Sequence, residues 1–256
     1  MNLAIFDIDG TLTQTNAVDE TCFVQAFADA LSITHINTNW MAYQCVTDSG
    51  IMFQIFHERF GRVPVDGELR NYKSCLVNLL ETHRSKDSSL FTEVSGASRA
   101  LTRLNQETQW AVALATGCWR VSAELKLKAA GIHAEHLPAA FAEDGRSRER
   151  ILKAAMSRAQ ESYGQSGFER IVSVGDALWD VQAAGNLGIP FVGVAKGDRG
   201  PRLQQVGATH VLEDYSDYDQ LIDCLRKAEV PNHDQSGMNQ QAAHQLVGRE
   251  RRERVS

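Results

Sequence analysis

Two acids separated by one residue close the first apolar run of the chain: residues 3–6 lead into Asp7, Ile8, Asp9, Gly10, Thr11, Leu12 and Thr13. Burying paired carboxylates at a strand end is costly unless they meet a cation, a shared proton or strong hydrogen-bond donors. Asp7 and Asp9 therefore mark a candidate site for cation binding or proton exchange. Two later apolar runs deliver polar groups in the same way. Residues 112–115 lead into Thr116 and Gly117, and residues 171–175 lead into Asp176, with Asp180 four positions further on. On a helix starting at that point, Asp176 and Asp180 share one face.

These groups converge only if a parallel sheet aligns the strand ends. From about residue 94 the chain alternates short apolar or β-branched runs with helical patterns, which predicts such a sheet with crossover helices. Strands are expected over 110–115, 171–174, 190–194 and 209–212, the last closing the sheet. Helices are expected over 96–104 and 120–130, with Gly131 as a stop signal. Right-handed crossovers then give a doubly wound α/β domain whose ligands sit outside the carboxyl ends of the strands.

Residues 15 to about 90 break this rhythm. Val18, Cys22, Phe23, Ala26, Phe27, Ala30 and Leu31 form one helical stripe, and Ile51, Met52, Ile55, Phe56 and Phe60 a second. A third runs through Leu69, Tyr72, Leu76, Leu79 and Leu80. The expected organisation is an α/β core of residues 1–14 and 91–230, a small all-α insert of residues 15–90, and a flexible polar tail over 231–256.

A chain of 256 residues, 43% hydrophobic and 23% charged, has the composition of a globular protein with an ample core. Its net charge of −6 gives no global positive field, which argues against nucleic acid or an anionic membrane as partner. The five cysteines, Cys22, Cys45, Cys75, Cys118 and Cys224, lack any paired spacing and fit reduced thiols in the cytoplasm. No leader-like segment precedes Leu3, and no apolar run approaches the roughly 20 residues that span a bilayer. Counting Asp7 as the first position of a calcium loop puts Leu12 where glycine is needed and Val18 where the closing acid belongs, so that reading fails.

Asp7 to Thr13 after the first strand, Thr116 after the second, and Gly175, Asp176 and Asp180 after a later one fill three motifs in order. Together they resemble the haloacid dehalogenase-like hydrolases, and in particular the phosphoglycolate-phosphatase-like branch with a helical cap. The resemblance spans residues 3 to about 212. It implies that Asp7 attacks phosphorus to form an aspartyl-phosphate, and that Asp9 protonates the leaving oxygen and then activates water. For the first of those roles Asp9 is expected to be protonated near neutral pH. Magnesium is the implied cofactor, held by Asp7, the backbone carbonyl of Asp9, and Asp176, with Asp180 in direct or supporting contact.

The same resemblance makes Thr116, with Gly117, a phosphate ligand and gives Gly10 and Thr11 a role as backbone donors to phosphate. It also requires a cation at the start of a helix. Arg148 is the choice, because a helical run through Ile151, Leu152 and Ala155 places it in the first turn; Arg146 and Lys153 remain alternatives. The insert falls where the family places a cap that selects the leaving group, so Thr47, Asp48 and Ser49 are candidate specificity residues as well as a helix-capping sequence. The implied substrate is a small phosphorylated metabolite. Rival readings are a phosphotransferase or phosphomutase of the same fold, and a non-catalytic binding or regulatory module that retains it. A dehalogenase is disfavoured because Asp9 is present, and a phosphonatase because Lys73 and Lys86 have no convincing context.

Overall fold

The computed structural model describes residues 1–107 and 109–232. The expected tail at 231–256 therefore lies almost wholly outside the described residues. Six parallel strands form one sheet: β1 (Asn2–Phe6), β2 (Trp110–Ala115), β3 (Ala139–Ala140), β4 (Ile171–Gly175), β5 (Phe191–Val194) and β6 (His210–Leu212). Their order is β3-β2-β1-β4-β5-β6, so β1 lies at the centre and the direction of winding reverses beside it. That reversal opens a crevice at the carboxyl ends of β1 and its neighbours, where Asp7 emerges.

Alternate residues of each strand serve opposite faces of the sheet, and both faces are covered. Ala4 and Phe6 share a core with Leu101 and Leu104 of α4 (Ala97–Gln106), Ala123 and Leu127 of α5 (Arg120–Ala129), and Leu221 and Leu225 of α9 (Tyr218–Lys227). Leu3 and Ile5 face Ile151, Leu152 and Ala155 of α6 (Arg148–Ser162) and Ala183 of α7 (Leu178–Leu187). Phe191 packs with Leu203 of α8 (Arg199–Gln205). The doubly wound α/β expectation thus holds. β3 and α8 are additions to it, since two alanines and a seven-residue helix carry little periodicity.

Between β1 and α4 the chain builds three α-helices, α1 (Asn16–Leu31), α2 (Asp48–Phe60) and α3 (Asp66–Lys86), and two short 3-10 turns, Trp40–Ala42 and Ser88–Leu90. The chain leaves the core and returns along adjacent segments: the Gln14 amide donates to Thr92 O at 2.8 Å and the Val94 amide to Leu12 O at 2.8 Å. Phe23, Phe27 and Tyr72 pack edge to face, and Tyr72 Oη donates to Phe23 O at 2.7 Å. This apolar cluster also takes in Trp119 and Ala142 from the α/β part, so the insert is packed against the core rather than tethered to it. Among the described residues, no helix is long and apolar enough to cross a membrane.

Candidate active site

The loop after β1 is drawn tight by one carbonyl. Ile8 O accepts from the amides of Leu12 at 2.8 Å and Thr13 at 2.9 Å. Gly10 adopts φ +73°, and an ideal Cβ there would lie 1.9 Å from Asp176 Oδ2, so no side chain fits. This geometry corrects the expectation that the Gly10 and Thr11 amides point at phosphate. The Gly10 amide donates to Thr13 O at 2.7 Å and the Thr11 amide to Ile8 O at 3.3 Å, because closing the turn consumes both. The Thr11 hydroxyl is buried with no hydrogen-bond partner among the described residues.

Asp7, Asp176 and Asp180 meet at the crevice, each offering a carboxylate oxygen within 4.8 Å of the others. Asp7 continues the sheet, its amide donating to Val174 O at 2.9 Å. Asp180, in the first turn of α7, accepts from the Ala177 amide at 3.2 Å. Asp176 Oδ2 accepts from Asn16 Nδ2 at 2.9 Å and Arg199 Nη1 at 3.1 Å. Burial raises the pKa of all three acids. For Asp176, burial and the neighbouring Asp7 charge push it up to about 7, against the opposing pull of Asn16 and Arg199. For Asp7, burial and Asp9 raise it while Arg148, the Ile8 amide and the Thr116 hydroxyl work to keep it ionised.

The counter-charge comes from α6. Ser147 caps that helix by accepting from the Arg150 amide, which leaves Arg148 in its first turn. Arg148 Nη1 lies 3.1 Å from Asp7 Oδ1 and 3.2 Å from Asp180 Oδ1, and Nε donates to Val46 O at 3.1 Å. An ideal Cβ on Gly117 would lie 2.6 Å from Arg148 Nη2, so the guanidinium occupies the space that this glycine leaves. Arg146 instead stacks on Phe53, its guanidinium carbon 3.7 Å from the ring centroid, and Lys153 is exposed.

Asp9 sits in a second, adjoining network. Its Oδ1 accepts from Thr15 Oγ1 at 2.5 Å, and its Oδ2 accepts from Lys126 Nζ at 2.6 Å. The same ammonium lies 2.6 Å from Asp19 Oδ1 and 3.2 Å from Cys118 Sγ, and the Lys126 side chain is 0% exposed. Burial works to raise the Asp9 pKa, but Lys126, Thr15 and Cys118 overcome it and hold the carboxyl below its ordinary value. This pairing with a buried lysine works against the protonated Asp9 expected at neutral pH.

Lys126 and Asp19 are the residues that the sequence reading missed. The signal was available, since Lys126 falls on the buried face of α5 with Ala123 and Leu127, where an unpaired charge is very costly.

Thr116 follows β2, where its hydroxyl helps hold Asp7 ionised and accepts from the Cys118 amide at 3.3 Å. Thr47, Asp48 and Ser49 start α2, and their side chains bind the α/β part. Thr47 Oγ1 donates to Arg146 O at 2.7 Å, Ser49 Oγ to Ala142 O at 2.7 Å, and Asp48 Oδ2 accepts from the Trp119 amide at 2.8 Å. In this arrangement they fasten the insert beside the crevice. Arg59 and Arg62 are taken up within the insert, by His35 O and Glu68 respectively.

Whether the acids suit magnesium can be tested on the donor set alone. Three buried carboxylates in reach of one another form a hard, all-oxygen cluster whose mutual repulsion a divalent cation would relieve. Asp9, Asp19 and Cys118 also cluster closely, but there the Lys126 ammonium already supplies the cation.

An α/β sheet whose central strand ends in Asp7, with Thr116 and Asp176 on its two neighbours, defines a hydrolase of the haloacid dehalogenase class. The family model for haloacid dehalogenase-like hydrolases matches residues 1–188, and the chain belongs to that family. A hydrolase from Pseudomonas syringae is similar in fold, with a TM-score of 0.64 at 21% identity, over 87% of this chain and 98% of that one. CbbY from Rhodobacter sphaeroides, solved with phosphate, gives 0.61 at 16% identity, over 84% and 95%. A candidate β-phosphoglucomutase from Bacteroides vulgatus gives 0.60 at 16%, over 89% and 91%. No curated protein matches the sequence.

Proposed function

We propose that this protein is a magnesium-dependent phosphomonoesterase that hydrolyses a small phosphorylated metabolite, with Asp7 as nucleophile. The observation that carries the reading is the meeting of Asp7, Asp176 and Asp180 with one guanidinium, Arg148, bridging the first and last. Arg148 and Thr116 supply positive charge and a hydroxyl donor where phosphoryl oxygens would lie beside Asp7. Asp7, Asp176, Asp180 and the Asp9 carbonyl would hold magnesium, which when bound offsets phosphoryl charge and polarises the phosphorus centre.

In the first step an Asp7 oxygen bonds to phosphorus as the bond to the leaving oxygen breaks. The leaving oxygen takes a proton from Asp9. Asp9 takes up that proton from solvent, or from the substrate where the phosphomonoester binds as its monoanion: the incoming phosphoryl group is a like charge beside Asp9 and raises its affinity for a proton against the pull of Lys126. In the second step water attacks phosphorus, Asp9 takes its proton, and the bond from phosphorus to Asp7 breaks. Residues 1–14 and 91–230 act as the catalytic core, and residues 15–90 as a cap that excludes bulk water between these events.

CbbY from Rhodobacter sphaeroides has also been solved with xylulose-1,5-bisphosphate. That precedent within the fold supports a substrate of phosphosugar size. The five free cysteines suit a reducing compartment, which favours the cytoplasm as the setting of the reaction.

The test is turnover of p-nitrophenyl phosphate with magnesium. Release of inorganic phosphate that stops on chelation and in Asp7→Asn is expected. No turnover of any phosphoester with metal bound would overturn the reading in favour of a binding module. A phosphorylated isomer formed from a sugar phosphate, without free phosphate, would favour transfer over hydrolysis.

A further inference from the structure

Lys126 enters the steps above only as the charge against which Asp9 is protonated, yet it is the most completely enclosed charge beside them. An ammonium has three hydrogens to donate. Here it has three neighbours to receive them: Asp9 Oδ2 at 2.6 Å, Asp19 Oδ1 at 2.6 Å and Cys118 Sγ at 3.2 Å. Thr15 Oγ1 holds the other Asp9 oxygen at 2.5 Å and itself lies 2.5 Å from Thr13 Oγ1. Both oxygens of Asp9 are thus gripped, one from α5 and one from the segment that leads into the insert.

Without Lys126, Asp9 and Asp19 would be two part-buried acids with no cation between them. They would separate or take up a metal or a proton. The three partners also come from different parts of the fold: Asp9 from the loop after β1, Asp19 from the first turn of the first insert helix, and Lys126 from α5. The direction in which Asp9 points is therefore set jointly by core and insert.

We propose that Lys126 is a positioning residue: its ammonium aims the Asp9 carboxylate for proton transfer and ties that aim to the first helix of the insert, serving where a second cation would otherwise be needed. The inference rests on the reading of Asp9 as the acid–base group.

The experiment compares the full-length protein with Lys126→Met and Lys126→Ala on p-nitrophenyl phosphate with magnesium, folding being checked by circular dichroism. A loss in kcat of about a hundredfold or more is expected for Lys126→Met, the scale of an acid–base contribution. KM should stay within about threefold, because ground-state binding is untouched. In Lys126→Ala, methylammonium entering the vacated space should restore kcat by about tenfold or more, whereas tetramethylammonium should not.

A folded Lys126→Met with kcat within about threefold of the parent overturns the positioning role and leaves the phosphatase reading intact. A parent protein without turnover overturns both. Should neither lysine variant fold, Asp19→Asn decides, since it removes one anchor of the ammonium and leaves the pair with Asp9. A fall in kcat of about tenfold at constant KM supports the proposal, and an unchanged kcat overturns it.

Discussion

Arg148 reaches from the first turn of α6 to place Nη1 3.1 Å from Asp7 Oδ1, joining two residues 141 positions apart. The same nitrogen touches Asp180, so removing the guanidinium leaves two buried acids without their shared cation. Breaking a buried pair from one side costs about 3–5 kcal/mol. Arg148→Met should lower the urea midpoint accordingly in the presence of a chelator, with magnesium restoring part of the loss. Turnover should fall by about a hundredfold or more. Stability in chelator equal to that of the parent would show that this contact carries no energy.

Asp48 gives a pH dependence whose sign can be worked out. Burial, helped by the Asp19 charge, pushes its carboxyl up to about 8 from an ordinary 3.8, against the opposing effects of Lys126 and the Trp119 amide. Between those values the folded protein keeps a proton that the unfolded chain has released, so stability falls as pH rises through that window and levels off above it. Asp48→Asn cannot ionise, and its side-chain oxygen can still accept from the Trp119 amide. Taking the two proteins as equal where Asp48 is protonated in both states, below about pH 4, the variant should pull ahead as pH rises and exceed the parent by about 2–5 kcal/mol at pH 8. Thermal melts of the two proteins across that range provide the check, and parallel curves would refute the assignment.

Why some of this was legible in the sequence and some not follows from the kind of contact involved. β1, β2, β4 and β5 lie inside a parallel sheet covered on both faces, so they appear as near-continuous apolar runs, interrupted only by Ser173 in β4, and β1, β2 and β4 stop at polar residues. Asp7, Thr116 and Asp176 stand at those stops, and their convergence needs only the strand order. β3 pairs through Leu114 and Ala115 alone and has no pattern of its own. Helical periodicity marks position 126 as inward-facing, but it does not say which acid waits there. That depends on how α1 of the insert lies against α5, a tertiary relation that no local spacing encodes. Arg148 was separable from Arg146 only in part: the Ser147 cap fixes where the helix starts, and the stacking of Arg146 on Phe53 emerges only in three dimensions.

Trp119 is the largest side chain that the α/β core contributes to the hydrophobic cluster it shares with the insert. Its ring meets Tyr72 edge to face at 5.3 Å, its Nε1 donates to Ser49 Oγ at 3.1 Å, and its amide donates to Asp48. Trp119→Ala should cost about 3–5 kcal/mol, as other deletions of a large core side chain do. The damage should concentrate in α2 and α3, which lose their seat against the core. Hydrogen exchange is expected to rise there by more than in β1 or β4, and a uniform rise would argue against a local seat.

Asp176 should make magnesium activation depend on pH. With its carboxyl pushed up to about 7 by burial and by Asp7, a proton occupies the group below neutrality and competes with a cation for the same oxygens. The concentration of magnesium needed for half-activation is therefore expected to fall as pH rises through about 7, then to level off once Asp176 is fully ionised. Arg199 opposes the upward shift through its contact with Asp176 Oδ2 at 3.1 Å. Arg199→Ala should therefore move the midpoint of that profile to higher pH without abolishing activation. Asp176→Asn should remove the step in the profile near pH 7, leaving only the proton competition at Asp7 and Asp180, and weaken activation by about tenfold or more, as loss of an oxygen ligand does. Activation constants measured at fixed ionic strength from about pH 5 to 9 distinguish these outcomes. A profile that stays flat in the parent protein would mean that Asp176 is not the group competing with protons for the metal.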